Sequence, residues 1–126
     1  ARCLNKTSKA VIQTILIKDD KFEKYRKGVD FIQMYIFPGG MLPTKNILKG
    51  LAERHYLKIQ DEFYFSKDYA ETLKRWAANF EECNHKFNAL GLNEEFKRMW
   101  KFYLNYCRSG FEVGDINVGQ FVLAKR

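Results

Sequence analysis

Ala10-Val11-Ile12-Gln13-Thr14-Ile15-Leu16-Ile17 is the stretch whose reading decides the fold. It is rich in β-branched residues, which are stiff at χ1 and suit a pleated backbone. The run is apolar at nearly every position, so both faces of a strand built from it want burial. That pattern belongs to central strands of parallel α/β sheets, covered above and below. Gln13 is then expected to be a buried polar side chain in need of a hydrogen-bond partner. Lys18-Asp19-Asp20-Lys21 ends the strand with charge.

Downstream, Phe31, Ile32, Tyr35 and Ile36 are spaced for a short helix within 22–36. Phe37-Pro38-Gly39-Gly40-Met41-Leu42-Pro43 must break it. Thr44 is placed to cap a helix running to Arg54, with Ile47, Leu48 and Leu51 as its apolar stripe. Leu57 and Ile59 alternate with polar neighbours, which predicts an edge strand continuing toward Phe65. Ser66 caps a long helix with Asp68 in its first turn. Its stripe is Tyr69, Leu73, Trp76, Phe80, Phe87 and Leu90, and Gly91 stops it. Asn93 caps the next helix, striped by Phe96, Met99, Trp100, Tyr103, Leu104 and Cys107, with Gly110 as the C′ residue. A last strand is read at 115–125.

Composition bounds the class. The chain has 126 residues, of which 46% are hydrophobic and 16% aromatic, enough for one core and too apolar for disorder. No apolar run approaches the roughly 18 residues that span a bilayer. Three widely spaced cysteines make no CxxC pair and fit a reducing, cytoplasmic compartment better than a disulfide framework. The net charge of +7 comes mostly from lysine and accompanies no zinc-finger or RNP-like pattern, so nucleic acid is not expected. His55 and His85 have no ligand at metal spacing, and no metal is expected. No Ser-His-Asp arrangement and no Walker loop can be assembled.

Strand accounting makes the inventory incomplete. The first strand reads as central, yet no strand precedes it and only two follow. One remedy is that the third strand pairs with one edge while a partner chain covers the other. The second is that the chain is the C-terminal part of a larger α/β domain. Unpaired edges also make a homodimer an expectation for these residues alone.

Several blocks then become recognisable. They are Ala10-Val11-Ile12-Gln13-Thr14-Ile15, Asp30 to Pro43, Asp68-Tyr69-Ala70-Glu71-Thr72-Leu73-Lys74-Arg75-Trp76, Phe96 to Leu104, and Val118-Gly119-Gln120-Phe121. In this order, the run from Ala10 to Arg126 resembles the C-terminal part of the cyclopropane-fatty-acyl-phospholipid synthases and mycolic-acid cyclopropane synthases. These are S-adenosylmethionine-dependent methyltransferases. Ala1 to Lys9 looks like the lead into the family's fifth strand, with Thr7-Ser8-Lys9 where members often carry Pro-Gly-Gly.

The resemblance implies a doubly wound, Rossmann-like methyltransferase fold, of which residues 1–126 are the substrate-side part, with about three strands and flanking helices. The half that binds S-adenosylmethionine, with its glycine-rich loop, is expected upstream. The implied reaction adds a methylene bridge across the double bond of an unsaturated phospholipid acyl chain, with bound bicarbonate as base. Bicarbonate contacts then fall on Tyr69, Gln13 and Ile15, the last mainly through its backbone. Some members have His where Gln13 stands; an amide still donates to an anion.

Each site has a plainer reading beside it. Tyr69 is otherwise a core aromatic, Gln13 a structural bridge, and Ile15 ordinary core. Tyr35, Ile36, Phe37, Met41 and Leu42 are either a rigid connector or the apolar wall of an acyl-chain site. Trp76, Trp100, Phe80 and Phe96 read as core, and Cys83 and Cys107 as buried thiols. A lipid methyltransferase that does not close the ring and a non-catalytic lipid- or protein-binding module are the rival functions. Charge-assisted peripheral contact with an anionic membrane, at its inner surface, is compatible with all three.

Overall fold

The computed structural model describes residues 3–126, which form two units: residues up to 65 with 115–126, and residues 66–114. The first unit holds the sheet. Strand β1 (Lys9–Ile17) is followed by helix α1 (Asp19–Lys27), a single π-helical turn (Ile32–Ile36), helix α2 (Lys45–Arg54) and strand β2 (Leu57–Tyr64). Strand β3 (Ile116–Lys125) closes the chain. The sheet order is β1-β3-β2, and both pairings are antiparallel.

The decisive stretch is a strand, but its position differs from the expectation of a central strand in a parallel arrangement. Within this sheet β1 is an edge, with Ile15 opposite Val118 and Gln13 opposite Gln120. Val11 is 66% exposed and Gln13 is exposed as well, so the expected burial of Gln13 is not found. Only β3 pairs with β1 here, and an apolar sequence does not bury itself without neighbours. β3 carries the core instead: Val118, Phe121 and Leu123 are buried, and Tyr64 meets Phe121 edge-on at 5.7 Å. A Cβ at Gly119 would lie 2.9 Å from the Phe121 ring and 3.0 Å from Tyr64, so only glycine lets those rings approach.

The short helix expected from Phe31, Ile32, Tyr35 and Ile36 is present as the π-helical turn Ile32–Ile36, and a separate helix, α1, precedes it. α1 starts inside the charged stretch, with Asp19 and Asp20 in its first turn and Lys24, Arg26 and Lys27 in its last. Those charges complement the helix dipole. The residues before β1 turn on Asn5, whose Oδ1 accepts from the Thr7 and Ser8 amides at 3.1 and 2.7 Å. Thr44 caps α2 as expected, its Oγ1 accepting from the Ile47 amide at 3.2 Å.

The second unit is helical: α3 (Ser66–Glu82), a short α4 (Asn84–Phe87), a 3-10 turn (Asn88–Leu90) and α5 (Glu94–Glu112). α3 begins at Ser66 but ends at Glu82, nine residues before the expected stop at Gly91, leaving Leu90 71% exposed. The connector is held by Lys97, whose Nζ donates to Asn88 Oδ1 at 2.8 Å and also meets Glu94. Asn93 Oδ1 caps α5 through the Phe96 amide at 2.9 Å. Gly110 is not the C′ residue. The stripe continues through buried Phe111, and the left-handed position falls on Gly114, with φ of 75°. Trp76, read as core, is half exposed at 50%, and Cys83 is only partly buried, whereas Cys107 is buried.

Candidate functional site

Gln13 and Ile15 lie on one edge of the sheet, and the backbone parity shows which way that edge faces. The Lys18 amide donates inward to Asp115 O, while the Ile17 amide donates outward to Pro43 O. Val118 O accepts from the Phe65 amide on the β2 side, so Val118 turns its polar groups away from β1. Alternate residues of a strand point alternate ways, and paired residues that do not bond each other both point outward. Ile15 and Gln13 therefore direct their N–H and C=O groups to the open side of β1. Among the described residues no backbone partner meets the Ile15 amide.

The side chain of Gln13 is also committed in one direction. Its Oε1 accepts from Gln120 Nε2 at 3.0 Å, across the strand pair. The expected structural bridge exists, but on the exposed surface rather than in the core. With the oxygen engaged, the amide NH₂ is the end left to donate. An outward N–H and an amide NH₂ two residues apart put two donors on this edge, beside the outward carbonyls of Gln13 and Ile15, and such donors can meet a small anion.

Tyr69 belongs to the helical unit. Its ring lies edge-on to Phe111 at 5.0 Å and to Trp76 at 6.3 Å. The α5 residues Tyr103, Cys107 and Phe111 recur every four positions and so share one face. Burial, reinforced by Cys107 and Tyr69, pushes the Tyr103 phenol up to about 12. Tyr103 is thus a neutral donor throughout the physiological range. Both readings of Tyr69 remain chemically sound: the ring is packed, and it is also only partly buried.

The segment after α1 is shaped by polar side chains. Asp30 and Gln33 bond each other's backbone amides at 2.8 and 3.0 Å, a reciprocal box that starts the π turn. Gln33 Nε2 then donates to Gly40 O at 2.9 Å, and the Leu42 amide donates to Tyr25 Oη at 3.1 Å. Gly39, with φ of 79°, supplies the reversal. Held in this way, Tyr35, Phe37 and Met41 are each more than half exposed, while Ile36 and Leu42 are partly buried. A cavity of about 390 Å³ opens nearby, lined by Ile17, Lys21, Lys24, Tyr25 and Val29 among others. The five expected wall residues are not among those lining it. Both the rigid connector and the apolar surface are therefore present in one segment.

Among the described residues the strand-to-helix turns do not form a glycine-rich nucleotide cradle. A dinucleotide-like cradle needs a glycine-rich turn from a strand into a helix N-terminus. Here β1 leads into α1 through Lys18, and β2 into α3 through Phe65, without glycine at either turn. Among the described residues no group of His, Cys, Asp or Glu side chains is arranged to hold a metal ion. No described helix is long and apolar enough to cross a membrane. Sequence reasoning missed Gln120, Gln33 and Tyr25 as organising residues. The polar residues could be noticed, but their partners depend on strand register and loop path.

Comparison with known proteins is consistent in sequence and in structure. The family model for mycolic acid cyclopropane synthetase matches residues 1–121. Tuberculostearic acid methyltransferase UfaA1 of Mycobacterium tuberculosis is 36% identical over 115 residues, covering 90% of this chain and 27% of that protein. The cyclopropane-fatty-acyl-phospholipid synthase of Escherichia coli K12 is 35% identical over 95 residues, 75% of this chain and 24% of that one. The crystal structure of mycolic acid cyclopropane synthase CmaA1 complexed with SAH and CTAB superposes with a TM-score of 0.82 at 28% identity. That superposition covers 98% of this chain and 46% of the other. The chain thus spans about a quarter of the length of these curated relatives. It belongs to the mycolic acid cyclopropane synthetase family, and its three-stranded sheet with flanking helices is part of that family's Rossmann-like methyltransferase fold.

Proposed function

We propose that this chain is the substrate-side, C-terminal part of an S-adenosylmethionine-dependent enzyme that adds a methylene or methyl group to the double bond of an unsaturated phospholipid acyl chain. The observation that carries the reading is the family match over residues 1–121 together with the superposition across nearly the whole chain. The open, apolar edge of β1 supports a larger domain, since Val11 and Ile12 offer a strand edge and a side-chain surface for a neighbouring strand. The absence of a glycine turn among the described strand-to-helix connections supports placing the cofactor on upstream residues.

On this reading each part of the chain has a separate task. Met41, Phe37 and Tyr35, with Ile36 and Leu42, give apolar area to an acyl chain, at about 0.8 kcal/mol per buried CH₂. Gln13 and the Ile15 amide hold an anion by donated hydrogen bonds. Bicarbonate, when bound, supplies the base that accepts the proton lost on ring closure. Tyr69 offers a ring face to developing positive charge and a hydroxyl to the anion. The enzyme is proposed to work in the cytoplasm, meeting anionic lipid at the inner membrane surface through lysine-rich contacts. A homodimer of these residues alone remains the proposal that the unpaired edges of β1 and β2 support.

A second reading is favoured by one comparison: UfaA1, similar over 90% of this chain, is named a methyltransferase rather than a cyclopropane synthase. Methylation without ring closure differs only in how the same cation loses its proton. Mass spectrometry of lipids from cells expressing the full-length protein separates the two. A cyclopropane acyl product supports the first reading, and a methylene-branched or unsaturated methyl-branched one, formed when the proton leaves without ring closure, supports the second. Unchanged lipids, with the protein present and folded, would instead support a non-catalytic binding module.

A further inference from the structure

We propose that Gln120 is a positioning residue for the anion site, holding the Gln13 amide with its NH₂ group outward. The inference rests on the reading of Gln13 as a bicarbonate contact and adds a residue that the reading did not include.

The geometry is local to the sheet. Gln13 and Gln120 stand directly opposite each other in the β1–β3 register. The parity derived above makes this a pair that does not exchange backbone hydrogen bonds, in which side chains approach most closely. Gln120 Nε2 donates to Gln13 Oε1 at 3.0 Å. An unconstrained glutamine presents oxygen or nitrogen to a ligand with little preference, and its oxygen repels an anion. Fixing the oxygen on Gln120 removes the wrong orientation. Among the described residues no acceptor takes up the Gln13 Nε2, so that nitrogen is free to donate. Gln13 belongs to the same strand edge on which the Ile15 amide is directed outward. Gln120 therefore makes an amide behave as a donor-only group, the property that a protonated histidine would have at the same place.

The test uses the full-length protein, sodium bicarbonate at fixed pH and two readouts. One is the rise in melting temperature with bicarbonate concentration, which gives a dissociation constant without catalysis. The other is the bicarbonate dependence of turnover. Gln120→Met keeps length and removes the donor; it should weaken bicarbonate binding about 3- to 10-fold, the worth of one hydrogen bond. Turnover at saturating bicarbonate and the KM for lipid should stay within about twofold, since neither depends on the amide orientation. Gln120→Lys, which can only donate, should restore binding. Gln13→Met reports on the site itself. If Gln13→Met weakens bicarbonate binding and Gln120→Met does not, the positioning role is overturned while the anion site stands. If Gln13→Met leaves bicarbonate binding unchanged, the anion reading and the role of Gln120 fall together. A Gln120→Met protein with lower melting temperature but unaltered bicarbonate affinity also overturns the proposal, because Gln120 then only braces the sheet.

Discussion

The ring of Tyr69 meets the ring of Phe111 edge-on, with centroids 5.0 Å apart and planes at 64°, tying the first turn of α3 to the last turn of α5. Phe111 is 2% exposed and is the anchor of the pair. Phe111→Ala should cost about 3–5 kcal/mol in unfolding free energy, from lost transfer energy and the cavity left behind. Denaturant titration checks it; a cost below about 1 kcal/mol would mean that the pair does not hold the helices.

Thr44 tests the start of α2. Its hydroxyl accepts from the Ile47 amide and the residue is 2% exposed, so removing the hydroxyl leaves that donor without its partner. Thr44→Ala should destabilise by about 1–2 kcal/mol, and Thr44→Ser should recover most of it. Equal losses in both variants would assign the effect to methyl packing.

Two glycines should respond with opposite signs. Gly50 lies inside α2, and a Cβ built there meets nothing within 4 Å. Gly50→Ala should stabilise by about 0.5–1 kcal/mol through higher helix propensity. Gly114 sits at φ of 75°, where an L side chain is strained, so Gly114→Ala should destabilise by about 1 kcal/mol. Thermal melts of the two variants side by side give the comparison.

Tyr103 makes a pH-dependent contribution. Its phenol is raised to about 12, first by burial and then by Cys107 and Tyr69, against an ordinary value near 10. The neutral form is thus favoured in the folded state. The unfolded chain loses this proton first, so stability falls as pH rises from about 10 to about 12. Spectrophotometric titration should show a late-ionising tyrosine that vanishes in Tyr103→Phe, whose stability should fall less steeply over that window. Ionisation of every tyrosine near pH 10 in the folded protein would contradict the packing.

Local chemistry was legible wherever a residue acts on its own neighbourhood. The Thr44 and Asn93 caps follow from contacts within a few residues, and the strand at 10–17 and the break at 37–43 from β-branching and from prolines and glycines in the segment itself. Positions set by remote packing were not. Gly110 looks like a stop signal, yet burial of Phe111 carries α5 beyond it. Phe87 and Leu90 continue the α3 stripe in sequence, yet Lys97 binds Asn88 and the chain turns away at Cys83. The family blocks pointed to Tyr69, Gln13 and Ile15, but a block carries no information about which end of an amide faces outward.

The sequence by itself determined that residues 10–17 would be a strand and that the chain carries this family's motifs in order. Side-chain branching, hydrophobic periodicity and residue identity act through the local chain, and they are complete in one dimension. Only the tertiary structure decided that this strand is an edge of the described sheet, antiparallel to β3, and that Gln13 spends its oxygen on Gln120. Register joins residues more than a hundred positions apart through hydrogen bonds available to any sequence. Which pairs form depends on how the whole sheet packs.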